Sequence, residues 1–151
     1  MTPDLPPAAD DSATFDSTRW KCVFVINADL PLGLITNTAA VLALSVGARL
    51  PIVGPDLMDG SGNRHAGLTT VPLPILKASP DVLGPLRERA TSAEGCIVID
   101  VSDVAQTTKN YSDYEALLRS RATETLKYLG LAIAGPAKTI LKMTGNLPLL
   151  R

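Results

Sequence analysis

The sequence predicts a layered α/β fold, and three observations carry that expectation. Residues 21–26, 96–101 and 128–134 are continuous apolar runs, the first two rich in β-branched side chains, as strands buried on both faces are. The segments between them carry helix start and stop signals. The first run also passes through a short polar turn into a helix-length apolar stretch, which is how an α/β layer opens.

Taken in order, residues 1–18 are rich in Pro, Asp, Ser and Thr. They bury too little apolar surface to offset ordering and are expected to form a disordered tail, with a single domain over residues 19–151. The strand at residues 21–26 stops at Asn27-Ala28-Asp29-Leu30-Pro31-Leu32-Gly33, where Asn, Asp, Pro and Gly each break a ladder. Residues 34–46 offer apolar or small side chains all round, which predicts a buried helix. Gly47 is expected to stop it in a left-handed conformation. Residues 51–54 are a short edge-strand candidate. Asp59-Gly60-Ser61-Gly62-Asn63 reads as a hairpin tip. Residues 68–76 read as a strand held to a sheet edge by Pro72 and Pro74.

Ser79-Pro80-Asp81 has the form of a helix start, but Gly84-Pro85 is expected to interrupt it. After the strand at residues 96–101, Ser112-Asp113-Tyr114-Glu115 fits a capping box opening a helix to about Leu126. In the last strand, Gly130 marks a bulge or a close approach. Pro136 to Thr144 is expected to be a short helix ended by Gly145, and the apolar residues 147–150 are expected to dock on the core.

Composition bounds the function. Of 151 residues, 46% are hydrophobic and only 4% aromatic, so one domain with an aliphatic core is expected. The net charge of -1 is uneven: residues 1–18 hold Asp4, Asp10, Asp11 and Asp16 and no base. That leaves 14 basic against 11 acidic residues, or +3, over residues 19–151. From Ala116 onward six bases face Glu124 alone, a mild bias that suits either a phosphate-bearing ligand or plain solvation. Cys22 and Cys96 lie in apolar runs and read as reduced core residues, which favours a cytoplasmic location. The N-terminus has no secretory pattern, and no stretch is long and apolar enough for a membrane span. Phosphate-loop, dinucleotide and zinc spacings are all missing, so no cofactor and no metal are expected.

In open α/β sheets, ligands collect beyond the carboxyl ends of the strands. Those ends carry Asn27 and Asp29 after the first strand, and Asp100, Ser102 and Asp103 after the strand at residues 96–101. Thr36, Asn37 and Thr38 fall at the start of the first helix, where amides are free to hold an anion. Two carboxylates across such a cleft, Asp29 and Asp103, are the candidate acid and base. The ordinary use of both is to cap turns and helix starts. His65, the only histidine, sits in a turn with no nucleophile signature near it.

Three stretches, KCVFVINADLPLGLITNTAAVLAL, GNRHAGLTTVPLPIL and YLGLAIAGPAKTILKMTGNLPLLR, resemble a family of unassigned function, domain of unknown function two thousand. That family is similar in turn to the type 2 peptidyl-tRNA hydrolase fold. The resemblance implies a three-layer α/β/α domain with a central mixed sheet of about four strands. Those hydrolases follow their first strand with Asp-Leu, then a Gly-Lys pair opening the helix, then Gln and His. Here Asp29, Leu30 and Gly33 match, but the lysine position falls on Leu34, the Gln position near Thr38 and the His position near Val41. The Asp-x-x-x-Thr motif is matched by Asp103 and Thr107. A leucine cannot stabilise an oxyanion as an ammonium does.

The expectation is a cytoplasmic protein that keeps the hydrolase fold without its lysine. It would bind a small molecule or a partner near Asn27, Asn37, Thr38 and Thr107, and the hydrolase relatives imply a homodimer. The first alternative is an enzyme, a hydrolase or acyl-transfer catalyst on aminoacyl or peptidyl esters. Asp29 or Asp103 would be its base, and Asn37 or Thr38 would position substrate. The second alternative, RNA binding without catalysis, draws on the basic C-terminal third.

Overall fold

The computed structural model describes Asp16 and residues 18–151. The tail expected over residues 1–18 therefore lies almost wholly outside the described residues. At its edge, Asp16 Oδ1 accepts from the Thr18 amide and hydroxyl, and the Asp16 carbonyl accepts from the Arg19 and Trp20 amides.

Twelve elements follow. Strand β1 (Trp20–Asn27) leads into helix α1 (Leu32–Gly47). A small hairpin, β2 (Leu57–Met58) and β3 (Arg64–His65), precedes β4 (Ile75–Ala78) and α2 (Pro80–Ser92). Then come β5 (Ile97–Ser102), α3 (Asp103–Thr107), α4 (Tyr111–Arg119), a single 3-10 turn (Thr123–Thr125), β6 (Tyr128–Pro136) and α5 (Ala137–Thr144). The central sheet has the order β4-β1-β6-β5, with β4 parallel to β1 and β6 antiparallel to both neighbours. It is mixed and four-stranded, as expected.

Both faces of the sheet are covered, which makes three layers. Cys22, Phe24, Ala132 and Ala134 pack with Leu42 and Val46 of α1 on one face. Val23, Val25, Leu131 and Ile133 pack with Leu83 and Leu86 of α2 and Ile140 and Met143 of α5 on the other. Strand β6 alternates small and large side chains, so α1 rests on Gly130, Ala132 and Ala134. A Cβ at Gly130 would lie 2.8 Å from Thr38 Cγ2, which makes this the close approach expected there. The register also slips between Val101 and Ser102, so Leu129 and Gly130 share the α1 face as a bulge.

Several boundaries differ from expectation for physical reasons. Helix α1 is not buried all round. Thr38, Leu42 and Val46, four residues apart, form one narrow buried stripe, while Leu32 is 75% and Leu44 78% exposed. It starts two residues earlier than expected, so Thr36, Asn37 and Thr38 lie within its own hydrogen-bond ladder and have no free amides for an anion. It ends at Gly47 without a left-handed residue.

Residues 51–54 give only a bridge from Val53 to Thr69, and the strand expected over residues 68–76 begins after Pro74, once donors are available to the ladder. Helix α2 runs through Pro85, because Leu83, Leu86 and Ala90 bury against the sheet while Pro85 faces solvent. Helix α4 is capped by Asn110 rather than Ser112. Asn110 Oδ1 accepts from the Asp113 amide at 2.9 Å, and its Nδ2 donates to Asp113 Oδ2 at 2.8 Å. It stops at Arg119, well short of Leu126. The C-terminal segment docks as expected: Leu149 bridges Leu76, and Pro148 O accepts from the Lys77 amide.

Candidate functional site

The parallel direction of β1, β4 and β5 brings their carboxyl ends to one rim, where β6 also begins. Asn27 and Asp29 stand at the exit of β1, and Ser102 and Asp103 at the exit of β5. Strand β6 lies between, which puts Asn27 and Ser102 about 10 Å apart at two interstrand spacings.

The six expected site residues fall into three separate groups along this rim. Asn27 is buried, and its Oδ1 accepts from the Asp29 amide at 2.9 Å. This Asx turn leaves the Asp29 carboxylate exposed, with no hydrogen-bond or ion-pair partner among the described residues. Asn37 and Thr38 lie back to back on α1. Asn37 faces solvent, whereas Thr38 is wholly buried against the sheet, and its hydroxyl has no partner among the described residues. Strand alternation places Asn27 on the α2 and α5 face and Thr38 on the α1 face, so those two side chains are divided by the sheet.

Asp103 and Thr107 form the third group, on α3. The Asp103 carboxylate is already engaged: Oδ1 accepts from the Lys127 amide at 3.1 Å, and Oδ2 faces Arg121 at 3.5 Å. The Asp103 amide in turn donates to Lys127 O at 2.8 Å, which latches α3 to the start of β6. Arg121 is held by Thr125, through its hydroxyl at 3.0 Å and through its carbonyl. Thr107 donates to Val104 O of its own helix.

A second polar cluster lies on the α2 side of β5. Arg87 Nε donates to Asp100 Oδ2 at 2.8 Å, with both side chains mostly buried, and the guanidinium lies 5.4 Å from the centre of the Tyr128 ring. The hydrogen bond it donates to Asp100 raises the Arg87 pKa against the opposing effect of burial. Burial raises the Tyr128 phenol. The Tyr128 and Ser102 hydroxyls are buried and have no hydrogen-bond partner among the described residues. Sequence reasoning placed Asp100 and Ser102 at a strand end but did not find Arg87 or Tyr128. The available signal was a charge inside an apolar run, which demands a buried partner.

Elsewhere, Tyr111, Tyr114, Glu115, Leu118 and Arg119 line a shallow groove on α4. Among the described residues, no three His, Cys, Asp or Glu side chains are grouped to hold a metal ion. Among them, too, no helix is long and apolar enough to cross a membrane.

The model of a family described as protein of unknown function, DUF2000, matches residues 20–151. The chain belongs to the DUF2000 family. The match spans every strand and helix described above, from the first residue of β1 to the last residue of the chain. A solved structure, a protein of unknown function from Agrobacterium tumefaciens strain C58, is similar in fold, with a TM-score of 0.81 at 19% identity. The alignment covers 88% of the DUF2000 chain and 98% of the Agrobacterium protein. At that identity the likeness speaks for the fold alone. No curated protein matches the chain.

Proposed function

We propose that this DUF2000 protein is a partner-binding protein without hydrolase chemistry, built on a framework like that of the type 2 peptidyl-tRNA hydrolases. The observation that carries the reading is the outer face of α1. This sixteen-residue surface helix has no charged side chain, and it leaves Leu32, Val41 and Leu44 exposed. A helix that is exposed on one side is ordinarily charged there, and the neighbouring exposed pair Val41 and Leu44, three residues apart on an uncharged face, is the kind of apolar surface that marks an interaction site.

Two further features favour binding over catalysis. Leu34 occupies the position at which the resemblance implies the hydrolase lysine, and Asp103 already receives the Lys127 amide and faces Arg121. Asp29 and Asn37, both exposed, then serve as polar groups beside α1, and Asp29 is not half of an acid–base pair with Asp103.

Two measurements test this reading. Turnover of aminoacyl and peptidyl esters is expected to equal the uncatalysed rate. A rate that Asp29→Asn or Asp103→Asn abolishes would refute the absence of chemistry. Affinity capture on the full chain is expected to retain proteins that Leu44→Glu does not. Identical capture by both chains would remove α1 as the binding face.

A further inference from the structure

The rim opposite Asn27 and Asp103 is formed by the amino ends of β1 and β5 and the carboxyl end of β6. Lys21 stands there opposite Gly135, and Arg19 O accepts from the Ala137 amide at 2.8 Å, which brings Lys138 to the same place. Gly95, just before β5, is a near neighbour: a Cβ on it would lie 3.4 Å from Pro136 Cγ. The last turn of α2, with Arg89, ends a few residues before Gly95. Helix α1 passes Gly130 near the far rim and ends at this one, where Val46 packs with Cys22 and Ala134 and Arg49 follows.

Five bases therefore share one rim: Arg19, Lys21, Arg49, Arg89 and Lys138, all exposed. The same segments carry two acids, Asp16 and Glu94. Among the described residues none of the five bases forms an ion pair, whereas elsewhere Arg64, Arg87, Arg119 and Arg121 are paired with Asp56, Asp100, Glu115 and Asp103. Unpaired charge of one sign gathered at one end makes a local positive field.

The occupant follows from what is attached there. The chain enters the domain at this rim, in a bend closed by the Asp16 carbonyl on the Arg19 and Trp20 amides. The fifteen residues before Asp16 hold Asp4, Asp10 and Asp11 and no Lys or Arg. Extended chain spans at most about 3.3–3.6 Å per residue, so Asp10 and Asp11 reach roughly 17–20 Å from Asp16 and Asp4 about 40 Å. Neighbouring strands are about 5 Å apart, so this reach covers the rim from β1 to β5. Asp16 already feels the rim: its carboxyl is held below the usual value, first by the Thr18 hydroxyl and amide and then by the charge of Arg19. Single exposed charge pairs are weak. A tether this short, however, holds the acids near the bases at an effective concentration on the order of millimolar.

We propose that residues 4–11 lie along this rim, with Asp4, Asp10 and Asp11 against its bases, and shield it from outside anions. The contact is electrostatic and needs no fixed fold in the segment. It goes beyond the docking face on α1 and is independent of it. Amide NMR of the full chain compares about 0.01 M with about 1 M salt, over which the screening length falls from about 30 Å to about 3 Å. The Arg19, Lys21, Gly95 and Lys138 amides are expected to shift, while those of Ala28 on the opposite rim and Leu118 on α4 hold still. The shift is expected to vanish in the full chain with Asp4→Asn, Asp10→Asn and Asp11→Asn. It is expected to fall at Arg19 and Gly95 in Lys21→Glu with Lys138→Glu, two exposed positions, with circular dichroism unchanged. Inorganic tripolyphosphate at low salt is expected to bind the Asn variant about tenfold more tightly than wild type, because the open rim is then fully populated.

An equal salt shift in the Asn variant, or no shift in wild type, overturns the docking of the segment. Tripolyphosphate that binds both chains equally gives the rim to an outside anion and overturns the segment as its occupant.

Discussion

Gly130→Ala is the sharpest test of how α1 is seated. The added methyl would lie 2.8 Å from Thr38 Cγ2, 3.2 Å from Val25 O and 3.3 Å from Leu42 Cδ1. The two longer contacts need a shift of a few tenths of an ångström. The shortest does not fit without moving α1 or rotating Thr38, and both are packed against the sheet. Overpacking of this kind costs about 1–3 kcal/mol. Thr38→Ser removes the Cγ2 methyl and leaves the hydroxyl, so the double variant regains at least about 1 kcal/mol relative to additivity. Coupling of that size is characteristic of residues in contact. Urea unfolding of the four chains of the cycle gives each free energy and checks that the slope is unchanged. A Gly130→Ala protein as stable as wild type, or a double variant with purely additive losses, would refute the seating of α1 on β6.

Other expectations follow from the same geometry. Arg87→Ala leaves Asp100 without its partner in a mostly buried setting and is expected to cost about 1.5–3 kcal/mol, the range for hydrogen bonds to charged groups; thermal melts measure it. Asn110→Ala removes the reciprocal cap of α4 and is expected to cost about 1 kcal/mol by the same melts. The His65 contact, followed by the Asn63 and Ser61 amides, lowers the Asp59 carboxyl from 3.8 to about 2. Because the folded value is the depressed one, its contribution to the hairpin tip is whole above pH 3.8 and lost as pH falls through about 2. Carboxyl-carbon NMR is expected to find that midpoint, and to find it raised in His65→Ala. Burial pushes the Cys22 thiol up to about 12. Alkylation at neutral pH is therefore expected to spare Cys22 in the folded chain and to reach it in urea, as mass spectrometry would show.

The sheet was legible in the sequence because its three long strands are buried on both faces, which leaves unbroken apolar runs. What escaped was set by context. Pro85 carries an unfavourable local signal that the burial of Leu83 and Leu86 overrides. Pro74 moves the start of β4 because only a complete ladder reveals which residues must donate. The candidate site was legible as a list but not as a place. Asn27, Asp29 and Asp103 do reach one rim, because strand direction can be reasoned out. Which face each side chain takes depends on register, and the bulge at Leu129 and Gly130 shifts that register in β6. The Arg87 and Asp100 pair joins α2 to β5 across thirteen residues, and no local pattern announces such a pairing.

The discrepancy at α1 is of a different kind. Its hydropathy predicted burial all round, and the single chain buries only the stripe of Thr38, Leu42 and Val46. Misjudged periodicity does not fully account for this, since the residues left in solvent include Leu32, Val41 and Leu44 as well as the polar Thr36 and Asn37. Propensity does not account for it either, because Lys or Glu at these positions would favour a helix about as well as Leu and better than Val. The pattern is consistent if the sequence encodes the burial of an assembled state. In the proposed partner-bound state, the side of α1 that carries Val41 and Leu44 is covered. Charge on α1 is the perturbation to which that arrangement is most sensitive. A single glutamate at Leu44 leaves the isolated fold intact and places an unpaired carboxylate in the interface it is meant to fill.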